Sequence, residues 1–439
     1  MPGAADVTSP PAVGIDPARR PRVLIIAYAC APGLGSEQGA GWGVVRAVSE
    51  FADCVVLVGP HQTDAIDRWR ADGPDPSIAV VEVPDVPWPG YARRGRFTWF
   101  LTYLAWLRRA HREGRRLHGA APFDVVNHAT MSTYWLPTPA GRFGVPCVWG
   151  PVGGAVTTPI ALWPTLGVRG VLEEVLDFVA VRAFALLPAT RRASRDATVR
   201  VVQNEATRRQ LAAPFRAGAR LINHACFTDL PPVERRGARG RYVFFFGSLE
   251  PRKGARLAVR ALAHAHPDVR LVVAGDGPEM SALKRLAAAL GVDSRVDFIG
   301  RVPRPHGLDL LAGAAAAVFT GLREEGGLAL AEAMLCGTPV IVLANGGARS
   351  IAEMATDPAR VALIEPAGVE TTARRIGAAM TRFSERPAEA SDPLLDRAAA
   401  VCQLRDAFDE ALASSGSTAS PGTASPGVAP ATSATGPPQ

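Results

Sequence analysis

The feature that most constrains this fold is an alternation of short apolar, β-rich runs with helical segments, which occurs twice along the chain. The predicted strands cover residues 23–28, 54–58, 78–83, 124–127, 145–149 and 198–202 in the first half, and 242–246, 270–274, 296–299, 316–319, 339–343 and 361–364 in the second. Such alternation is typical of βαβ units and parallel sheets. The sequence therefore predicts an α/β protein of two Rossmann-like, doubly wound domains that face a cleft.

Length and composition suggest where these domains end. A chain of 439 residues is too long for one ordinary hydrophobic core. We expect one domain at 21–229, a Pro/Gly/Arg-rich linker at 230–240, and a second domain at 241–390 followed by a C-terminal helix at 391–413. The outer segments, 1–20 and 414–439, hold too little apolar surface to order themselves and are predicted to be disordered.

Charge and cysteine usage narrow the functional classes. The formal net charge of +7 favours anionic partners such as nucleotides and phosphates. No recognition helix or RNA-binding signature accompanies that charge, so nucleic acid is not an expected partner. The six cysteines form no CxxC pair, which predicts a reduced cytoplasmic protein. Arg19-Arg20 before the first apolar run resembles a secretory signal, but the run is short and β-branched and suits a first buried strand better.

Five glycines lie in the fifteen residues 29–43, directly after the first predicted strand. Their spacing matches neither the GxGxxG dinucleotide fingerprint nor a P-loop, so a dehydrogenase is disfavoured. What remains is a long flexible loop at the carboxyl end of a parallel sheet, where ligands of such folds bind. Glycines would let the backbone approach a ligand closely, and the alternative is a surface loop that only needs positive φ angles.

The second half carries the more specific signals. The stretch 244–254 places Lys253 after a strand, and 323–341 holds Glu324 and Glu332 on either side of a Gly-Gly turn. A helix is predicted from Leu328 to Cys336. Its first N–H groups would form an anion site. One carboxylate can accept hydrogen bonds from a ribose diol, and the other can reach the hydroxyls of a sugar.

These residues resemble a known family. The Gly-x-Leu-x-x-x-Lys-Gly signature at 247–254, the Glu-x7-Glu pair at 324–332 and the Glu-Ala-Met-x-x-Gly-x-Pro-Val-Ile segment at 332–341 are similar to those of the retaining GT-B glycosyltransferases of family 4. The opening Gly-Ser-Glu-x-Gly-x-Gly-Trp at 35–42 resembles one of its subgroups. The resemblance covers about residues 21 to 410 and implies the GT-B fold, with an acceptor-side N-terminal domain and a C-terminal domain that binds the nucleotide sugar.

The resemblance also implies roles for individual residues. Lys253 would neutralise the diphosphate leaving group, Glu324 would bind the donor sugar, and His128 would face that sugar. Glu332 would bind the nucleotide ribose. The other implied donor-binding residues are Gly327, Leu328 and Ala329 at the helix start, Ser248 and Arg252 near Lys253, Arg301 and Val302 at the base, and Gly33, Gly35 and Ser36 over the phosphates.

Two positions depart from the family pattern. Ser248 stands where an arginine is usual, so one expected positive charge is missing, and Arg252 is the nearest substitute. Glu325-Gly326 replaces a Gly-Phe pair, which is expected to add a negative charge close to the donor sugar. These departures support an alternative in which the chain is a catalytically silent nucleotide-binding or scaffold partner of another transferase. An epimerase on a similar frame would need further acid and base residues that the sequence does not identify.

The implied reaction moves a hexosyl group from a UDP- or GDP-sugar to a hydroxyl of a glycan, glycolipid or small molecule, with retention of anomeric configuration. No metal and no cofactor besides the donor is expected. The aromatic stretch 93–116, flanked by arginines, could lie on the inner face of a membrane, or it could pack in the N-terminal core with a basic exposed end.

Overall fold

The computed structural model describes residues 19–85, 96–228, 230, 241–386 and 392–417. Most of the expected linker 230–240 and of the two outer segments lies outside these residues.

The strands agree closely with the predicted runs. They are β1 Arg22–Ala27, β2 Asp53–Val58, β3 Ile78–Glu82, β4 Val125–Thr130, β5 Cys147–Val152, β6 Val199–Val202, β7 Ala219–Leu221, β8 Tyr242–Phe246, β9 Arg270–Ala274, β10 Val296–Gly300, β11 Ala316–Phe319, β12 Val340–Leu343 and β13 Val361–Ile364. The prediction missed β7, because three residues are too few to show a strand pattern.

The helices connect the strands on both faces of the sheets. They are α1 Ser36–Ser49, α2 Thr63–Ala71, α3 Arg96–Ala120, α4 Gly167–Ala185, α5 Pro188–Asp196, α6 Glu205–Gln210, α7 Ala213–Arg216, α8 Ala255–Leu262, α9 Met280–Ala289, α10 Arg304–Gly313, α11 Leu328–Leu335, α12 Gly346–Ala352, α13 Val369–Glu385 and α14 Arg397–Ser417. Short 3-10 turns complete the connections.

The strands form two separate parallel sheets. One has the order β3-β2-β1-β4-β5-β6-β7 and the other the order β10-β9-β8-β11-β12-β13. In each sheet the strand order reverses beside the first strand, between β1 and β4 and between β8 and β11. Loops that leave the carboxyl ends of strands at such a point diverge and form a ligand crevice. The predicted α/β class with two Rossmann-like units is confirmed.

The glycine-rich stretch after β1 is a loop only in its first part. Helix α1 begins at Ser36, so three of the five glycines are helical. A Cβ on Gly41 would lie 2.4 Å from Cγ2 of Thr130, and one on Gly43 would lie 2.7 Å from the carbonyl oxygen of Phe227. These glycines therefore allow α1 to pack closely on its neighbours, and the expectation of a flexible loop over the whole stretch was wrong.

The C-terminal helix α14 returns to the N-terminal sheet. Its Phe408 packs edge-on against Phe51 at a ring distance of 5.6 Å. Arg397 pairs with Glu50 at 2.7 Å, and Glu410 pairs with Arg220 at 2.6 Å. The two halves are thus tied together by the end of the chain as well as by the crossing near residue 230.

Candidate functional site

Loops from the switch points of both sheets meet in a cleft. The loop after β1 supplies Gly33, Gly35 and Ser36, and the loops after β8 and β11 supply Lys253 and Glu324. Together they line a cavity of about 460 Å³, here called the donor cavity after the ligand that the family resemblance implies for these residues. The sequence placed these residues after strands, and the strand order explains why they converge.

An ion pair lies at the centre of the donor cavity. Nζ of Lys253 donates to Oε2 of Glu324 at 2.6 Å, and both side chains are about one-quarter exposed or less. The backbone N–H of Gly327 donates to Oε1 of Glu324 at 3.2 Å. Both oxygens of this carboxylate are therefore held, and the lysine amine stays at the cavity wall with further protons to donate.

Helix α11 points its N-terminus into the same cavity. Gly327 precedes it in the left-handed conformation (φ 74°), which a glycine adopts without strain. The N–H of Ala331 makes the first helical bond to the carbonyl of Gly327 at 3.0 Å, so the N–H groups of Leu328 and Ala329 precede the helical ladder. These groups and the helix dipole favour an anion at this place.

Glu332 lies one turn into α11 and is almost fully buried. Arg304, at the start of α10, donates from Nε and Nη2 to its Oε1 at 2.9 and 2.6 Å. Burial raises the pKa of Glu332, and the neighbouring guanidinium opposes that rise. Within the part of the chain that the structure describes, no hydrogen bond reaches Oε2, so this oxygen is available to a ligand. The sequence predicted Glu332 but missed Arg304, which is 28 residues away.

Four further predicted residues have different surroundings. Ser248 and Val302 line the donor cavity. Arg252 lies at its edge, where Nε donates to Glu250 at 2.7 Å and the residue lines the adjoining cavity. Arg301 is exposed and is not in the lining of the donor cavity, which its neighbour Val302 reaches.

A second cavity of about 450 Å³ opens on the N-terminal side, here called the acceptor cavity because the family resemblance implies that the acceptor binds to that half. It shares Ser36, Glu324, Gly327 and Leu328 with the donor cavity. Its other walls come mainly from the N-terminal sheet and from α4, with Glu37, Thr133, Trp135, Asp177, Ala180, Val181, Phe184 and His224 among them. Two ligands bound in the two cavities would meet at Glu324.

Backbone strain lies beside the acceptor cavity. Among the described non-glycine residues, only Ser36 (φ 59°) and Met131 (φ 52°) have a left-handed backbone. They follow β1 and β4, the strands at the switch point, and the N–H of Met131 donates to Oε1 of Glu37 at 3.1 Å. Strain of this kind is retained where the surroundings enforce it and is frequent at binding sites. No sequence signal pointed to Met131, whereas Glu37 is the glutamate of the Gly-Ser-Glu-x-Gly-x-Gly-Trp segment at 35–42.

Glu325 lines the acceptor cavity but not the donor cavity. Its carboxylate accepts from the N–H of Val156 at 2.8 Å and from Nδ2 of Asn204 at 2.9 Å, both in the N-terminal half. Burial raises its pKa, and these hydrogen bonds oppose the rise. Asn345 adds a bond from its Nδ2 to the carbonyl of Thr157 at 3.1 Å. The unusual Glu325 therefore fastens the two halves to each other.

His128, like Arg301, is a predicted site residue that lines neither cavity. It is 1% exposed, and its ring nitrogens lie 3.1 Å from the Tyr103 hydroxyl and 3.0 Å from Oγ1 of Thr138. Burial lowers its pKa to about 4, so the ring is neutral. A direct contact with the donor sugar does not fit these surroundings.

A different histidine reaches the cleft. His224 is buried, lines the acceptor cavity, and places Nε2 so close to Gly326 that a Cβ there would lie 2.4 Å from it. Its Nδ1 is buried and has no hydrogen-bond partner among the described residues. Gly326 is thus required by the histidine. This residue lies in a segment without motif, where sequence reasoning had no signal.

The aromatic stretch before residue 116 packs in the core. Tyr103 and Trp106 of α3 are fully buried, and Trp106 Nε1 donates to the carbonyl of Val83 at 3.0 Å. The core alternative is thus the correct one for the described part of this helix. Among the described residues, no helix is long and apolar enough to cross a membrane.

Comparison with known proteins decides the family. Residues 228–388 match the family model for glycosyl transferases group 1. The chain is 30% identical over 263 residues, 52% of its length, to 67% of the GDP-mannose-dependent alpha-(1-6)-phosphatidylinositol monomannoside mannosyltransferase of Mycolicibacterium smegmatis. The chain belongs to the group 1 glycosyltransferases. It is also 29% identical over 344 residues to the D-inositol 3-phosphate glycosyltransferase of Mycobacterium leprae, covering 72% of this chain and 74% of that one.

Solved structures support the GT-B fold of this glycosyltransferase. Anabaena Alr3699/HepE in complex with UDP and glucose matches with a TM-score of 0.51 and 16% identity over 89% of this chain and 99% of that one. Sucrose-phosphate synthase from Thermosynechococcus elongatus matches with a TM-score of 0.52 and 18% identity over 90% of this chain and all of that one. At these identities the likeness concerns the fold alone.

Proposed function

We propose that this glycosyltransferase moves a hexosyl group from a nucleoside-diphosphate sugar to an acceptor hydroxyl and retains the anomeric configuration. One observation carries the proposal. The Lys253–Glu324 pair and the N-terminus of α11 lie in one cavity, with the buried Glu332–Arg304 pair one helical turn away. This arrangement offers separate places for an anion and for diols on either side of it.

We propose the following order for the base, ribose, diphosphate and sugar of the donor along the cavity. The main chain at Arg301 and Val302 would hold the base, and Oε2 of Glu332 would accept from the ribose hydroxyls. The diphosphate would lie against Lys253 and the N–H groups of Leu328 and Ala329, with Gly33, Gly35 and Ser36 over it and with Ser248 and Arg252 at the edge. Glu324 would bind the sugar hydroxyls at the border of the acceptor cavity.

The chemistry follows from where charge develops. Cleavage of the glycosidic bond places negative charge on the diphosphate, so a lysine and preorganised N–H donors stabilise the transition state more than the ground state. For retention, the acceptor attacks from the leaving-group face, and a diphosphate oxygen takes its proton. The proposal needs no metal and no cofactor besides the donor.

Substrate identity is proposed from the relatives. By their names, the two mycobacterial proteins use GDP-mannose or act on inositol 3-phosphate and a phosphatidylinositol mannoside. A GDP- or UDP-sugar is accordingly proposed as donor, and a glycan, glycolipid or small polyol as acceptor. We place the protein in the cytoplasm, at the inner face of the membrane if the acceptor is a glycolipid.

A thermal-shift panel with UDP, GDP, ADP and their sugar conjugates tests the donor site. A ligand that binds only the folded protein stabilises it by about 2.7 kcal/mol at a hundredfold excess over Kd. We expect a shift with one nucleotide family that is lost in Glu332→Ala and kept in Lys284→Ala. Lys284 is exposed on α9 and is the only other lysine of the chain. Absence of a shift with every nucleotide would favour the silent-scaffold alternative.

A further inference from the structure

Helix α4 exposes many of its apolar residues while two of its carboxylates face inward. Two of its three acidic residues, Glu174 and Asp177, point toward the protein, where Oε1 of Glu174 accepts from the N–H of Thr158 at 2.6 Å, and the third, Glu173, is exposed. Asp177 pairs with Arg323 of the C-terminal half. A surface helix normally buries its apolar residues and exposes its charges. Here hydrogen bonds and an ion pair fix part of the inner face next to Val181 and Phe184, which pack inward, and a second set of apolar residues remains outside.

The outer face of α4 is a continuous apolar surface. Val168 is 92% exposed, Leu172 62%, Leu176 64% and Val179 59%. Intervals of three and four residues place side chains on one face of a helix. Val175, Leu186, Leu187 and Ile160 are also exposed and extend the same region. The α4 stripe, defined as Val168, Leu172, Val175, Leu176, Val179 and Leu186, is too coherent for scattered surface residues, and patches of this kind mark interaction sites.

A basic groove begins where the stripe ends. It has a volume of about 1040 Å³, and Leu186 belongs to both the groove and the stripe. Its exposed arginines are Arg142, Arg191, Arg192, Arg195 and Arg216. Arg195 pairs with Asp196 at 3.1 Å, whereas Arg142, Arg191 and Arg192 have no ion pair within the described ranges. Between residues 182 and 216 the sequence has eight arginines and two carboxylates.

We propose that the α4 stripe and the arginine groove dock this protein on an anionic lipid surface. Apolar side chains would enter the boundary between head groups and acyl chains, and the guanidinium groups would contact lipid phosphates. Charge decides between occupants. A second copy of the chain would bring the same arginines to the interface, and like charges there are unfavourable. An anionic bilayer complements the stripe and the groove together.

The inner side of the same helix connects this surface to the acceptor cavity. Ala180, Val181 and Phe184 of α4 line that cavity, with Trp135 opposite Phe184 at a ring distance of 4.9 Å. A protein docked through α4 therefore has the acceptor cavity next to the lipid. The next step rests on the proposed function. Among the three proposed acceptors, a glycan, a glycolipid and a small polyol, this geometry favours the glycolipid. Docking itself goes beyond that function, because it requires no turnover.

Vesicle flotation of the full-length protein tests the docking. Vesicles of phosphatidylcholine alone are compared with vesicles that also contain phosphatidylglycerol. We expect binding to the anionic vesicles only, decreasing with salt. The double variant Arg191→Gln/Arg192→Gln should lower the partition roughly thirtyfold, as expected for two basic residues near an anionic surface. Leu172→Asp/Leu176→Asp should abolish binding without changing the melting temperature, because both side chains are exposed.

Matched variants elsewhere on the surface serve as controls. Leu221→Asp on β7, which is 41% exposed, and Arg285→Gln/Arg374→Gln on α9 and α13 should bind vesicles like the wild type. Equal binding of wild type and stripe variants, or equal binding to neutral vesicles, would overturn the proposal. A dimer in sedimentation velocity that Leu172→Asp/Leu176→Asp dissociates would also overturn it, since the stripe would then be a self-interface. A wild-type protein that binds the anionic vesicles but transfers no sugar from any nucleotide sugar would contradict the proposed function and leave the docking proposal intact.

Discussion

The two halves of this glycosyltransferase have the same architecture but present chemistry in different ways. In the C-terminal half, Lys253, Glu324 and Glu332 reach the cleft within or next to short motifs after β8 and β11. In the N-terminal half one short glycine-rich segment reaches the cleft, with Gly35, Ser36 and Glu37, and the other lining residues, including Trp135 and His224, lie outside any motif. The difference teaches that a short sequence motif is recognisable where neighbouring backbone and side-chain groups line one cavity, whereas most of the N-terminal lining is assembled from distant segments.

The largest expected effect is on the C-terminal half. Lys253→Ala removes the cation at the proposed leaving group and leaves Glu324 without its 2.6 Å partner. Loss of a preorganised transition-state donor costs about 10²- to 10³-fold in kcat. Steady-state kinetics with the donor identified by the thermal-shift panel measures this, with Lys284→Ala as the control. If Lys253→Ala and Lys284→Ala have equal kcat values, Lys253 does not stabilise the leaving group in the transition state.

Glu332→Gln should act on donor affinity. The change removes the charge that pairs with Arg304 and weakens acceptance from the ribose. A hydrogen bond to a charged group contributes about 1.5–3 kcal/mol, so Kd for the nucleotide should rise roughly tenfold to a hundredfold. Titration calorimetry with the nucleoside diphosphate gives this value. Unchanged affinity would place the ribose elsewhere.

His128→Gln tests whether the N-terminal half contributes this histidine to chemistry or to the core. We expect a loss of about 1–3 kcal/mol in the free energy of unfolding, since buried partners lose hydrogen bonds, with nucleotide Kd unchanged. Because the folded pKa of about 4 lies below the usual 6.5, the unfolded chain binds the proton first. Wild-type stability should therefore fall as pH drops from 6.5 toward 4, and less so in the variant. Urea titrations across this range measure both, and a variant with full stability and no turnover would restore the catalytic role.

Glu325→Gln probes the bond between the halves and should have the smallest effect. Burial favours the neutral acid, so the folded pKa lies above the usual value of 4.5. Wild-type stability from this group is complete below pH 4.5 and declines as pH rises through the raised pKa. The variant should lack this decline and be as stable as the wild type in acid. Melting curves from pH 4 to 8 compare the two, with Glu353→Gln, an exposed carboxylate on α12's end, as control. If the wild type and Glu325→Gln show the same pH dependence of the melting temperature, Glu325 does not stabilise the contact between the two halves.

Much of the donor side could be predicted because neighbouring residues in sequence share one ligand. Gly327, Leu328 and Glu332 lie within six positions, so a helix start and one turn of helix determine their relative placement. Arg304 was missed because only the packing of α10 on α11 brings it to Glu332. His128 was misplaced for a similar reason, since being at the end of β4 does not show which way a side chain points.

The sequence by itself determined every strand except β7, the two α/β halves, the glycine at the start of α11 and the residues of the proposed donor site other than Arg304. Local periodicity and turn chemistry act over a few residues and are visible along the chain. The tertiary structure decided that Glu325 joins the halves, that α14 returns to the first sheet, that His224 rather than His128 reaches the cleft, and that α4 exposes its apolar face. These outcomes depend on burial and on pairs of charges far apart in sequence, which no local pattern encodes.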